Sequence, residues 1–471
     1  MYKNVLNQHI IALFLLFSSC FFAITVKAQA TTGNSTVNYA STDLKSDKKS
    51  DQLPTQPLTS TKSPETDTAW KPVRRLWGYA FGDFYYDAHA DASNRGAETN
   101  YNGVPTYRNA FQFRRIYLGY EYDISKKFTA EVLLASEPTA NTSTVSATST
   151  STSTITGVAG ATAKTTTTTT TSLSNSDNLV DNKMSFYIKS FDLRWKGVWK
   201  GTDFVIGEML TPAFPMLTEK IWGYRSVERT IADFHKTNAY DVGASLQGSF
   251  DPESKNFGYN ILVGNNTQAS LLSAASANTG FYKAFYGDVY AKFFDQALIF
   301  DLYADYMRTA PGSPAIGAQS RNMVKGFVAY TVPKITFGLE AYTQNIVNGV
   351  TNTTSRASEN ATVEAISIYS HGAIYKDKLG FFARYDGYNP DNDFNAADIY
   401  TSNTNLSGYS PFTKEHFVTA GLDFTPAKNV HFEPNLWFIQ YKDQRDAATT
   451  GYLPDSHVLV YRLTFFYIFG K

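Results

Sequence analysis

The sequence predicts an all-β fold, a closed antiparallel transmembrane β-barrel of about 16 strands. Three observations point there. From Arg75 onward the chain repeats short segments in which apolar and polar residues alternate, the period of a strand with one face in an apolar environment. The connections between those segments alternate strictly between short turns and long polar loops, the layout of a barrel whose two rims differ. Aromatic residues make up 15% of the chain, with 34 Phe and 31 Tyr, although mean hydropathy is only −0.28. Soluble sandwiches rarely need so many; a membrane barrel uses them as girdles at both interfaces.

The N-terminus gives the compartment. Lys3 precedes the apolar run "IIALFLLFSSCFFAITV", and "KAQA" follows it. Charged start, apolar middle and small residues at the cut describe a secretory signal peptide over residues 1–30, cleaved after Ala28 or Ala30. Cys20, the only cysteine, lies inside that run, where "FSSC" is a weak lipoprotein box. The exported protein therefore has no disulfide. Residues 31–70 are rich in Ser, Thr, Lys, Asp and Pro, the composition of a disordered linker. The barrel domain then spans residues 71–471. After the signal no apolar run reaches helix-spanning length. The 42 basic and 42 acidic residues cancel, so no polybasic surface argues for nucleic acid.

Strands are expected to begin near Leu76, Ala110, Lys127, Lys183, Gly201, Asn238, Asn256, Phe281, Gln296, Arg321, Lys334, Glu364, Lys378, Thr413, Asn429 and Ser456. "ALIFDLYADYMR" is the cleanest: Leu298, Phe300, Leu302, Ala304 and Tyr306 share one face, and Asp301, Tyr303 and Asp305 the other. "YDVGASLQGSF" and "ITFGLEAYTQN" alternate in the same way. Short connections read "DISKK", "DPESKN", "FDQ", "VPK", "KDK" and "TPAKN". Long ones cover residues 87–109, 137–182, 211–237, 266–280, 310–319, 345–362, 388–411 and 443–455. An even strand count puts both termini on the short-turn, periplasmic side. The sheet must close, because an open edge in lipid strands backbone N–H and C=O groups. The second long loop, 137–182, is a Thr-rich low-complexity stretch, expected to be extracellular, solvated and without regular structure.

Catalytic signals are missing. There is no G-x-S-x-G and no H-E-x-x-H, and His9, His89, His235, His371, His416, His431 and His457 are scattered without metal-ligand spacing. No enzyme activity, cofactor or metal is expected. His416 shares a face with outward Val418 and is placed at an interface. Function is expected in the lumen, where inward charges set selectivity. The inward parity selects Arg115, Glu121, Glu131, Asp192, Arg194, Asp241, Asp288, Lys292, Asp301, Asp305, Glu340, Arg384, Asp386, Asp423, Glu433 and Arg462. That set holds eleven acids and five bases. Opposite charges on neighbouring strands are expected to pair in part.

One segment breaks the rhythm. "TPAFPMLTEKIWGYRSVERTIADFHK", in the third long loop, has mixed charge and apolar residues at helical spacing (Ile221, Tyr224, Val227, Ile231). Pro212 and Pro215 end the preceding strand and turn the chain inward. Phe214, Ile221, Trp222 and Tyr224 are expected to pack on the wall. Glu219, Lys220, Arg225, Glu228, Arg229, Asp233 and Lys236 are expected to face the channel, opposite wall residues that include Arg115, Glu121, Glu131, Lys292, Arg384 and Arg462.

This segment, with "FQFRRIYLGYEYDISKKFTAEVLLAS", "FDLRWKGV", "DVGASLQGSF" and "GYNILVGNN", resembles the phosphate-selective porin O and P family in its Bacteroidetes branch. The similarity runs in order through most of Arg75 to Lys471 and is strongest over Ala110 to Asn266. It implies a sixteen-stranded outer-membrane porin of a Gram-negative bacterium, a homotrimer whose third loop forms the constriction. Arg225 and Arg229 match conspicuous basic positions of the loop motif, and Arg115 the second arginine of "FRR". Phe469 stands for the aromatic on which such barrels commonly end. The expected function is passive diffusion of small hydrophilic or charged solutes, anions such as phosphate among them. Expected partners are outer-membrane lipid, ions and the barrel-assembly machinery. The alternative is a structural or adhesive barrel with an occluded lumen, acting through its extracellular loops. An energised receptor is excluded, since the linker is too short and polar to form a plug.

Overall fold

The computed structural model describes residues 70–96, 101–137, 186–266, 282–309, 316–395, 400–403, 410–444 and 453–470, and two strands at 141–154 and 162–175. The expected signal peptide, Cys20 and the linker up to residue 69 lie outside the described residues, as do the centres of several long loops.

Sixteen strands form the wall. In chain order they are β1 (Arg74–His89), β2 (Asn109–Asp123), β3 (Phe128–Ser136), β6 (Tyr187–Trp199), β7 (Thr202–Leu210), β8 (Tyr240–Ser249), β9 (Phe257–Gly264), β10 (Ala284–Phe293), β11 (Leu298–Thr309), β12 (Gln319–Val332), β13 (Ile335–Asn352), β14 (Ser358–Tyr375), β15 (Leu379–Asn389), β17 (Thr413–Ala427), β18 (Val430–Asp443) and β19 (Ser456–Phe469). Each pairs antiparallel with the next, and β19 pairs with β1 from Gly78↔Phe469 to His89↔Leu459, which closes the barrel. Among the described residues no helix is long and apolar enough to cross a membrane; the elements that could cross are these strands.

The pleat sorts the side chains as the alternation requires. Phe300, Leu302 and Tyr306 point outward and are exposed, whereas Asp301, Tyr303 and Asp305 point inward and are buried. The outward set continues around the wall with Phe111, Ile206, Phe285, Val289, Phe337, Leu463 and Phe469. In water this band would be an apolar patch far larger than a soluble protein tolerates; against hydrocarbon it needs no cover. All sixteen lumen charges selected by parity face inward in the observed registers, as the burial of Asp241, Asp288, Arg384, Asp423, Glu433 and Arg462 illustrates.

Three long connections differ from expectation. In the Thr-rich segment, β4 (Asn141–Thr154) pairs with β5 (Thr162–Asn175) as a separate two-stranded sheet. Threonine is β-branched and favours extended backbone, so a tract without core-forming residues still pairs as a ribbon. The expected loop 345–362 is largely strand: β13 runs to Asn352 and β14 starts at Ser358. In these Thr- and Asn-rich extensions the apolar residues Ile346, Val350, Ala361 and Val363 are buried in the core beneath the loop, so the outward apolar face that marks the other strands is missing. A three-residue strand, β16 (Tyr400–Ser402), then pairs with the top of β13.

Candidate functional site

The third long loop enters the lumen. Its base is pinched where the Thr211 N–H donates to the Ala239 carbonyl (2.9 Å) and the Thr211 hydroxyl to the Asn238 carbonyl (2.6 Å). Beyond the pinch come two short helices, α1 (Thr218–Trp222) and α2 (Ile231–Phe234), joined by an irregular link. Helix α1 stops at Gly223, whose backbone is left-handed (φ +73°) and whose N–H returns to the Glu219 carbonyl at 3.0 Å. Glycine adopts that conformation without the steric penalty other residues meet. The four apolar residues at helical spacing, Ile221, Tyr224, Val227 and Ile231, are all buried.

The loop reaches the far wall. β7 is the fifth barrel strand and β15 the thirteenth, halfway round the sixteen. There Trp222 packs on Tyr369 (ring centroids 5.0 Å) and Tyr224 on Phe382 (4.5 Å). His371 Nε2 lies 2.9 Å from the Ile221 carbonyl, and Arg384 donates to the Arg229 carbonyl while pairing with Asp386. The Trp437 indole N–H donates to Glu228 Oε2 at 2.9 Å, and the Ser226 hydroxyl to Glu433 Oε1 at 3.0 Å. His235 stacks on Tyr388 at 3.5 Å between centroids.

On one flank, Ala213, Phe214, Ile231 and Ala232 of the loop form a continuous apolar core with Tyr286, Met307, Met323, Tyr342 and Ile346 of the wall. The charges in and beside that wall, Asp288, Asp301, Lys325, Glu340 and Arg384, are buried. The flank facing β1, β2, β3 and β6 is different. Here Arg225 bridges Glu219 and Asp233 (2.8 Å to the latter), and the three side chains keep 17, 15 and 13% of their surface exposed. Across from them Glu137 accepts from Lys189 Nζ at 3.0 Å and from the hydroxyls of Tyr117 and Tyr187, with Arg115 3.8 Å away. Arg115 lies within electrostatic range of both Arg225 and Asp233. Three bases and three acids thus face one another, and their formal charges cancel.

Beyond Glu137 the same wall carries a row of acids. Glu121 stands directly opposite Glu131, and Glu131 directly opposite Asp192. Like charges in cross-strand pairs are destabilising. Arg75 pairs with Glu121 at one end, and Arg194 bonds Asp203 (3.3 Å) near the other.

The expected constriction residues divide. Glu219, Arg225 and Asp233 reach the partly exposed flank, and Lys220 and Lys236 are half-buried on the loop. Glu228 and Arg229 do not face the channel: they are 3% and 7% exposed, turned to the wall by the link between α1 and α2. Burial alone would raise the Glu228 carboxyl, but the guanidinium of Arg229, then that of Arg462, brings it down to about 2. Of the expected wall residues, Arg115, Glu121 and Glu131 line the open flank. Arg384 and Arg462 are buried, the first beneath the loop and the second against Tyr101 and Asn435. Lys292, near the short-turn end of β10, has its ammonium 5.4 Å from the Tyr290 ring centre.

Two residues essential to this arrangement were missed by alternation. Phe81 pairs with Arg115 but Gly82 with Phe113, so Arg114 is the extra residue of a β-bulge. The bulge puts both arginines of "FRR" inside. Arg114 pairs with Asp83 at 2.7 Å and donates to the carbonyls of Ser226 and Val227 at the loop tip. A second bulge, between Leu133↔Ser190 and Leu134↔Ile188, turns Lys189 inward. The signal was available: an arginine or lysine left on the lipid face costs about 2–4 kcal/mol, so a charged residue out of phase marks a bulge. Arg321 and Lys325 were in phase and simply overlooked.

No protein-family model matches the sequence, and no curated protein matches it. Among solved structures the chain is similar to an anion-selective porin from Comamonas acidovorans, at 12% identity over 85% of this chain and 100% of that one, with a TM-score of 0.50. It is also similar to the outer membrane channel DcaP of Acinetobacter baumannii, at 10% identity over 84% of this chain and 97% of that one, with a TM-score of 0.53. At these identities the likeness is one of fold, the closed barrel that this chain shares with both.

Proposed function

We propose that this chain is an outer-membrane porin, a passive diffusion channel for small hydrophilic and charged solutes. The observation that carries this reading is the asymmetry of the loop. Its apolar flank packs on the wall from β10 to β14, and its charged flank leaves a partly exposed polar strip along β1, β2, β3 and β6. Solutes pass there, between Arg225, Glu219 and Asp233 on the loop and Arg115, Glu137 and Lys189 on the wall. The short turns face the periplasm, the signal peptide is removed on export, and the barrel is inserted by the assembly machinery as a trimer.

Selectivity follows from charge. The resemblance to phosphate-selective porins makes phosphate the first anion to test. A neutral narrows followed by the Glu121–Glu131–Asp192 row supports a weak preference for cations instead. Single-channel recording in planar bilayers under a KCl gradient tests both levels. A folded protein that never conducts overturns the channel; a strongly anion-selective reversal potential restores the phosphate reading.

The apolar packing of the loop against β10 to β14 and the β4–β5 ribbon favour a second reading, an occluded surface barrel that acts through its loops. Deletion of residues 140–174 separates the two: a channel keeps its conductance, and an adhesin loses surface binding.

A further inference from the structure

Near the turn between β17 and β18, three inward side chains converge on the loop tip. Asp423, His431 and Glu433 each offer one ligand atom, and these atoms lie within 4.8 Å of one another. The residues are 3, 4 and 1% exposed. His431 Nδ1 is 3.0 Å from Asp423 Oδ1, and the Thr425 hydroxyl is 3.3 Å from that same nitrogen. Glu433 Oε1 accepts from the Ser226 hydroxyl at 3.0 Å, while its Oε2 is buried with no hydrogen-bond partner among the described residues. Tyr224 of the loop donates to Asp423 Oδ2 at 3.4 Å.

The two buried carboxylates, Asp423 and Glu433, fall at facing cross-strand positions between the pairs Gly421↔Asn435 and Phe424↔Phe432. Like charges so placed repel, and a buried charge needs compensation. Arg114 answers part of this but is already committed to Asp83. A divalent cation would answer the rest. It would take the orphaned Oε2, one Asp423 oxygen and the imidazole nitrogen, with the Thr425 hydroxyl the nearest further oxygen.

We propose that Asp423, His431 and Glu433 form a binding site for a divalent cation of the zinc type, and that the bound ion fastens the loop tip to the wall. One imidazole and two carboxylates suit zinc, or cobalt as its spectroscopic stand-in, better than calcium or magnesium, which take oxygen alone. Zinc–ligand distances of about 2.0–2.2 Å require the three side chains to close in slightly. Because Ser226 and Tyr224 hydrogen-bond to the two ligating carboxylates, an ion that orders those carboxylates also orders the loop. The sequence conceals the site: His431 and Glu433 are two apart on a strand, hence on one face, and Asp423 comes from the neighbouring strand across the turn.

The test uses the full chain without a polyhistidine tag, folded in detergent micelles, stripped with chelator and titrated with Co2+. One equivalent should bind, give visible absorption bands and be displaced by Zn2+. Glu433→Gln, close in shape to the native residue, should weaken binding by roughly 10-fold or more. His431→Ala should abolish the bands, and His416→Ala, on the outer face, should leave them intact. Heat-modifiable migration on gels checks that each variant is folded; if His431→Ala is not, Glu433→Gln carries the test. Absence of saturable Co2+ binding, or equal binding by wild type and Glu433→Gln, overturns the proposal and leaves a shared proton as the answer to the carboxylate pair. The binding readout is independent of conductance, so a failure of the site and a failure of the channel reading are distinguishable.

Discussion

The Arg114 guanidinium donates to the Ser226 carbonyl, so a bulge in one wall strand holds the tip of a loop that starts three strands away along the wall. The same guanidinium pairs with Asp83, which has no exposed surface. Arg114→Ala removes both. Breaking a buried pair by deleting one partner costs about 3–5 kcal/mol, because the other charge is left behind. The expected result is a less stable barrel with a looser loop, read as a lower unfolding midpoint and noisier open-channel current. Arg114→Lys can keep the ion pair but not the fork to the carbonyls, so it should recover much of the stability and little of the quiet current.

Arg225 and Arg229 look equivalent in the sequence and are separated by the structure. Arg225→Ala leaves Glu219 and Asp233 facing the strip uncompensated, and the six facing charges go from zero to −1. A unit charge about 6 Å away in water is worth ~0.7 kcal/mol, or roughly threefold in a permeability ratio. The reversal potential should shift toward cations by about that factor. Arg229→Ala should leave it nearly unchanged and lower stability instead, because Arg229 sits on the wall side with Glu228. Equal shifts in the two variants would mean that the passage does not run along β1, β2, β3 and β6.

Period-2 alternation carried most of the barrel, and the residues show why it stopped where it did. Asp301, Tyr303 and Asp305 were legible because each must face away from lipid, and Phe469 because each outward position must face it. Arg114 and Lys189 were not, since a bulge changes phase without altering composition. Glu228 and Arg229 sit in an irregular link, where no period says which way a side chain turns. Their direction is set by Trp437 and Arg384, more than 150 residues away along the chain. In β4 and β5 the absence of core-forming residues suggested a coil, but the branched Cβ of threonine favours extended backbone, and the two tracts pair along their whole length.

Acid should weaken the loop's hold in a defined window. Glu228 titrates near 2 rather than at its ordinary 4.5. A carboxyl depressed on folding contributes stability that is complete above its unfolded value and lost as pH falls through its folded one. The window is therefore pH 4.5 down to about 2, and the contribution is about 3 kcal/mol. Glu228→Gln should be less stable at neutral pH, and the gap to wild type should close across that window. Urea midpoints of both proteins in micelles at pH 7, 4 and 2.5 measure it. A gap that stays constant with pH would show that Glu228 is held by packing and not by charge.

The closing seam makes the last prediction. In the pairing of β19 with β1, Phe469 stands opposite Gly78, and a Cβ added to Gly78 would collide with the Phe469 ring and with the Tyr117 carbonyl. The ring thus covers bare backbone at the point where the first and last strands meet, an aromatic laid over a cross-strand glycine. Gly78→Val should push the ring off and cost about 1–3 kcal/mol, the usual price of overpacking. Phe469→Ala should weaken the seam by removing the cover. The two residues touch, so their effects should not add: in the double variant the valine meets no ring, and the loss should fall short of the sum. Urea unfolding of the four proteins in lipid vesicles gives the cycle. Strict additivity would show that Gly78 is required by the Tyr117 carbonyl alone and that Phe469 serves lipid contact rather than closure.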